Sequence, residues 1–272
     1  MTKSKKIILW AALSSVGIHL LTFLMYFIPY YVVEIGDFAS GFEIYEYIRI
    51  FLSNFIDFAV PAVASAVLCF CDISQSTGKT ILHGLYISLG KLAYLLPYYY
   101  LYFMQISGGN DSAEALAMSA LAGVFDTLVL WGNILLFCLI TRLVAKHFCY
   151  RKKLSEIPTL IREKLTEKNK KEIMESAKTE ALSISELNKT FDFSNPATVG
   201  IFVPAFIQFV LYLIPEITTT SDYLKTYAGY YRTNEIIYMI VSFLFILASM
   251  LVTHLIAFKT ISAFKDKETA VE

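Results

Sequence analysis

The stretch Lys91-Leu92-Ala93-Tyr94-Leu95-Leu96-Pro97-Tyr98-Tyr99-Tyr100 decides how the chain is read. Its core, Tyr-x-x-Pro with apolar residues between, recurs as Tyr26-Phe27-Ile28-Pro29 and as Tyr212-Leu213-Ile214-Pro215. Each copy closes an apolar run and precedes a polar loop and a second apolar run. The three copies therefore read as helix ends, each followed by a partner helix. Counting about 32 residues on from the prolines reaches Pro61, Val129 and Leu247, each inside the partner run. Proline and tyrosine both favour helix ends, so the same recurrence also arises by convergence without a repeat.

Working outward, six runs are long enough to cross a hydrocarbon layer of ~30 Å at 1.5 Å per residue. They lie near residues 7–31, 50–71, 80–105, 115–147, 197–215 and 235–262. The expected fold is an all-α polytopic membrane bundle of six transmembrane helices, set as three like-oriented hairpins. Residues 1–147 hold the first four helices and 197–262 the last two. Residues 148–196 form a cytoplasmic helical insertion, and 263–272 a cytoplasmic tail.

Composition agrees. The 272 residues are 56% hydrophobic and 17% charged, with a mean hydropathy of +0.57. Charged residues in soluble domains run near a quarter, so a large soluble core is excluded as the simplest reading. The first apolar run is about twice the length of a signal-peptide h-region and no small-x-small cleavage site closes it, so it reads as a retained span.

The basic residues orient the bundle. Nineteen of the 23 Lys and Arg fall on the side of the N-terminus: in the tail, at Lys79, between Arg142 and Lys189, and between Lys259 and Lys267. Arg49, Lys225 and Arg232 lie on the other side. By the positive-inside rule both termini are cytoplasmic. The Lys-, Ile-, Phe- and Tyr-rich usage suits a bacterial plasma membrane. A net charge of zero gives no reason to expect a nucleic-acid partner.

Ionisable groups within a span are costly, about 2.5–3.5 kcal/mol on insertion scales, and usually face the bundle interior. Lys91 and Asp126 each lie about 11 residues into their spans, roughly 16 Å from one end, so both sit near mid-membrane depth. Asp57 lies closer to the outer surface, and His19 and Gln208 are further polar groups within spans. One reading is that Lys91, Asp126 and Asp57 line a cavity binding an ion, a proton or a small polar solute. The other is a structural ion pair joining hairpins. Lys91 is also where the repeat breaks, since the equivalent positions hold Phe23 and Phe209.

The cysteines, Cys69, Cys71, Cys138 and Cys149, lack zinc-site spacing and read as buried thiols. No catalytic constellation, metal site or cofactor motif appears, so the chain is not expected to be an enzyme. Two functions follow. The first is a transporter-like or permease-like protein with a polar site between hairpins. The second is a non-transporting scaffold or regulatory subunit that docks a protein partner through an amphipathic cytoplasmic helix over residues 159–190.

Overall fold

The computed structural model describes residues 3–32, 55–56, 59–71, 76–106, 112–182, 189–226 and 230–269, and among them the chain is helical with no strand. α1 runs over Lys3–Val32, α2 over Ala59–Phe70 and α3 over Thr77–Ser88. A 3₁₀ turn, Leu89–Lys91, leads directly into α4, Leu92–Ile106. Then come α5 (Ser112–Glu156), α6 (Thr159–Arg162) and α7 (Glu167–Leu182). α8 (Pro196–Thr226) and α9 (Tyr230–Thr269) complete the fold.

Four of these helices are long and apolar enough to cross a membrane: Lys6–Leu24 in α1, all of α5, Pro196–Thr219 in α8 and Met239–Ala263 in α9. The second apolar run is described only over α2 and at Phe55 and Ile56; residues 50–54 and 57–58 lie outside the described residues. Alone, α2 is about 18 Å long and α4 about 22 Å, each short of a hydrocarbon layer. The third run is helical throughout its predicted extent, but the 3₁₀ turn divides it.

The long helices are apolar on their outer faces as well as in the core. On α1 the polar residues Ser15, His19 and Thr22, one helical stripe, are buried. Leu13, Leu20, Leu21 and Leu24 face outward. α5 repeats the pattern. Ser119, Thr127 and Thr141 are buried, while Leu121 is 67% and Phe125 66% exposed. A continuous apolar surface of this kind is not tolerated in water and marks a face that meets lipid or another chain.

α2 is the centre of the core. Ala62, Ala66, Leu68 and Phe70 are all buried, and alanines at this density let neighbouring backbones approach closely. One cluster joins α2 to Ile87 of α3, Ile134 and Cys138 of α5, Ile201 of α8 and Ile261 of α9. α1 packs against α3, the 3₁₀ turn and α4; α4 lies along α5, and α8 along α9.

The helical pattern differs from expectation at three places. The Tyr-x-x-Pro copies do not end their helices: α4 continues from Pro97 to Ile106, and α8 from Pro215 to Thr226. An internal proline forfeits one backbone hydrogen bond, and the aliphatic and aromatic run after Pro97 has no better way to satisfy its backbone away from water. α1 likewise passes Pro29 to Val32; the side chains of Tyr26 and Pro29 lie outside the described residues. Second, the boundary expected at residue 147 falls inside α5, which continues to Glu156 because the first breaker is Pro158. Third, the single helix expected over 159–190 is broken. α6 stops at Arg162, whose guanidinium donates to the Ser155 and Ile157 carbonyls, and α7 restarts at Glu167. Residues 183–188 lie outside the described residues.

α7 folds back on its own chain. It packs against α5 and touches α8, Lys153 Nζ donates to Ser176 Oγ, and Ala177 is completely buried in the central cluster. Part of the face expected to receive a partner is thus used internally, while Leu160 (79%) and Ile161 (56%) on α6 remain exposed.

Candidate functional site

The approach of α1 to the 3₁₀ turn sets the site. A Cβ on Gly90 would lie 2.6 Å from Ser15 Oγ and 2.8 Å from the Val16 backbone nitrogen. Only glycine allows the turn this close to α1. Ser15 heads the buried stripe on α1 and Lys91 follows Gly90, so the contact that excludes a side chain at position 90 also brings His19 and Lys91 to one cavity.

That cavity has a volume of about 150 Å³. α1 contributes His19 and Thr22, and the 3₁₀ turn contributes Lys91. Tyr94, Tyr98 and Tyr99 come from α4, and Asp126 from α5. Leu95 and Ile56 complete the wall. At ~30 Å³ per water, the space holds about five water molecules or one small solute.

Several of these polar groups are held by their own helix or the next. His19 Nδ1 lies 2.7 Å from the Ser15 carbonyl. A carbonyl only accepts, so Nδ1 carries the proton and donates, which leaves Nε2 of the neutral ring as an acceptor. Thr22 Oγ1 donates to the Ile18 carbonyl at 3.0 Å. Tyr99 Oη donates to Asp126 Oδ2 at 2.8 Å, across the α4–α5 interface. Tyr94 and Tyr98 stack with centroids 5.2 Å apart, and Tyr99 meets Tyr98 edge-on at 5.4 Å. On α5, Gly123 lies one turn before Asp126, and Leu92, Leu95 and Leu96 of α4 pack over it at van der Waals distance.

Lys91 and Asp126 share the cavity without closing a salt bridge. Ion pairs within 4.0 Å such as Lys170–Glu167 and Lys225–Asp222 lie on exposed helix surface. The alternative of a simple structural ion pair between Lys91 and Asp126 is not the arrangement found.

Of the residues singled out from sequence, Lys91, Asp126, His19 and Tyr94 line this one cavity. Asp57 lies outside the described residues. Gln208 is buried on α8, which contributes nothing to the lining. Pro97, Tyr212 and Pro215 do not line it either. Thr22, Tyr98 and Tyr99 were not anticipated. Spacing carried the signal for the first two: Ser15, His19 and Thr22, and likewise Lys91, Tyr94 and Tyr98, sit at i, i+3/i+4, i+7 on one helical face.

A second polar region lies nearer the N-terminal side. Arg142 Nη2 donates to Thr80 Oγ1 at 2.8 Å, tying α5 to the first turn of α3. Cys69 Sγ donates to the Cys138 carbonyl at 3.6 Å. Cys69, Cys138 and Cys149 are buried, and all four cysteines are free thiols. Among the described residues no three His, Cys, Asp or Glu side chains come together as a metal site would require.

No protein-family model, curated protein or solved structure matches this chain.

Proposed function

We propose that the chain is a multi-pass integral membrane protein of transporter or permease type, whose solute site is the cavity between α1, α4 and α5. One observation carries this reading: a lysine and a carboxylate line one small cavity without neutralising each other. Charges so placed are expensive when idle and mark solute or proton pathways. The outward-facing apolar surface supports the bilayer as solvent. On this reading α3, the 3₁₀ turn and α4 form one span, and α2 with the residues before it forms another, giving six. The distribution of Lys and Arg sets both termini in the cytoplasm, of a bacterial plasma membrane by composition.

The test is reconstitution of the purified protein into liposomes, with flux of small ions and polar solutes measured for wild type, Lys91→Met and Asp126→Asn. Flux that disappears in both variants at unchanged protein level supports the reading. Flux unaffected by either change, or no flux in wild type, overturns it.

The exposed Leu160–Ile161 pair favours a second reading, a regulatory subunit that docks a partner through α6. Deleting residues 159–182 separates the two. Loss of a complex with flux retained supports docking.

A further inference from the structure

An apolar groove of about 330 Å³ adjoins the polar cavity. The two meet with a shared offset. Ser15, Ile18 and Ile87 line the groove, and His19, Thr22 and Lys91, four residues further along the same helical segments, line the cavity. On the α2 side, Phe55 and Val60 line the groove while Ile56 faces the cavity. One helical turn therefore separates a charged compartment from an apolar one.

We propose that the cavity and the groove together bind a small zwitterion bearing an apolar side chain, of the α-amino-acid type. The inference rests on the reading of the cavity as a solute site and names the class of solute. Among the described residues the cavity presents one cation and one carboxylate that do not pair. A singly charged ligand satisfies one and is repelled by the other, and in a low-dielectric setting that repulsion is large. A zwitterion satisfies both, with its carboxylate at Lys91 and its ammonium at Asp126. The Asp126 carboxylate accepts from Tyr99 through one oxygen, and its four lone-pair sites leave capacity for an ammonium. His19 Nε2 is a further acceptor, and the stacked Tyr94 and Tyr98 faces attract ammonium groups. About 150 Å³ accommodates the charged headgroup and little more. The side chain then continues into the groove, past Ser15 and Ile18, where apolar walls reward its burial.

The test measures ligand-induced thermal stabilisation of the purified full-length protein. The probes are L-leucine, L-methionine and L-phenylalanine, together with glycine, 4-methylpentanoate and isoamylamine. The last two are leucine lacking its ammonium and its carboxylate, respectively. At least one of the three apolar amino acids is expected to stabilise the protein in a saturable manner. Glycine is expected to bind at least about tenfold more weakly, and the two singly charged analogues to give no shift. Lys91→Met and Asp126→Asn should each abolish the shift. Ala11→Phe and Ser14→Phe, which narrow the groove, should remove the preference for a large side chain while glycine binding persists. Size-exclusion profiles of all variants confirm folding.

A shift with either singly charged analogue equal to that of leucine overturns the inference, as does no shift with any apolar amino acid. Glycine binding as tightly as leucine overturns it too. The two proposals fail separately. Apolar amino acids that bind without flux sink the transport reading alone, whereas Lys91-dependent flux of only a singly charged solute sinks this one alone.

Discussion

Tyr99 on α4 donates its phenolic proton to Asp126 on α5 at 2.8 Å, and this hydrogen bond, rather than Lys91, is the recorded partner of the Asp126 carboxylate. It joins two helices at the depth where the cavity lies. Lys91 lines the same cavity without pairing with that carboxylate.

The Tyr99–Asp126 bond should appear as coupling between the two positions. Hydrogen bonds to charged groups contribute about 1.5–3 kcal/mol, and neutral ones about 1 kcal/mol. Tyr99→Phe and Asp126→Ala should each lower thermal stability, and the double variant should be about 1 kcal/mol less destabilised than the sum of the singles. Additivity within about 0.5 kcal/mol contradicts the contact.

The packing of α1 on the 3₁₀ turn depends on Gly90. Gly90→Ala places a methyl group 2.8 Å from the Val16 backbone nitrogen, so α1 must shift. The expected result is a loss of thermal stability together with loss of any ligand effect at the cavity. Gly132→Ala on α5 is the control. Its Cβ meets nothing within 4 Å, and helix propensity favours alanine there by up to ~1 kcal/mol. Equal behaviour of the two variants argues against the close approach.

A pH dependence is expected where the insertion meets α8. The Ser194 hydroxyl and backbone N–H both donate to Asp192 Oδ1, and these bonds, the hydroxyl first, hold the Asp192 carboxyl below its ordinary value of 3.8. A carboxyl with a depressed folded-state pKa contributes stability above its unfolded value, and that contribution is lost as pH falls through the folded one. The stability difference between wild type and Ser194→Ala should therefore be full at neutral pH and close below about pH 3.8. Melting curves at a series of pH values measure it. A difference that persists unchanged in acid removes Asp192 as its source.

The docking of α7 rests on Ala177, buried against α5 and α8. Ala177→Glu should release α7 and make residues 163–182 an early cleavage site in limited proteolysis. Leu160→Glu, on the exposed α6, should change neither. Equal protease resistance of wild type and Ala177→Glu would show that α7 is held elsewhere.

Much of the fold was legible because it is written in local composition. Apolar runs of span length with few charges identify α1, α5, α8 and α9 wherever they stand in space. The breaker at Pro158 and the Asn195 cap, which accepts from the Ala197 N–H, also mark helix boundaries locally. Where local signals misled, they were given too much weight. Pro97 and Pro215 look like helix stops, yet one lost hydrogen bond does not outweigh the apolar residues that continue the helix on either side.

The placement of Lys91 just before α4, of Asp126 within α5 and of His19 within α1 follows from counting residues along the chain. Their pairing does not. Whether two side chains at one depth touch depends on how each helix is rotated about its axis and how closely the axes approach. Those quantities come from contacts far apart in the chain, such as Ser15 with Gly90 and Gly123 with Leu92. The amino-acid sequence by itself determined an all-helical chain with long apolar helices, one of which carries Asp126. Only the tertiary structure decided that Tyr99 holds Asp126, that Lys91 stands apart from it, that Gln208 lies elsewhere, and that α7 folds back on α5. Helix formation is encoded within each turn, whereas partner choice is settled by packing between turns distant in sequence.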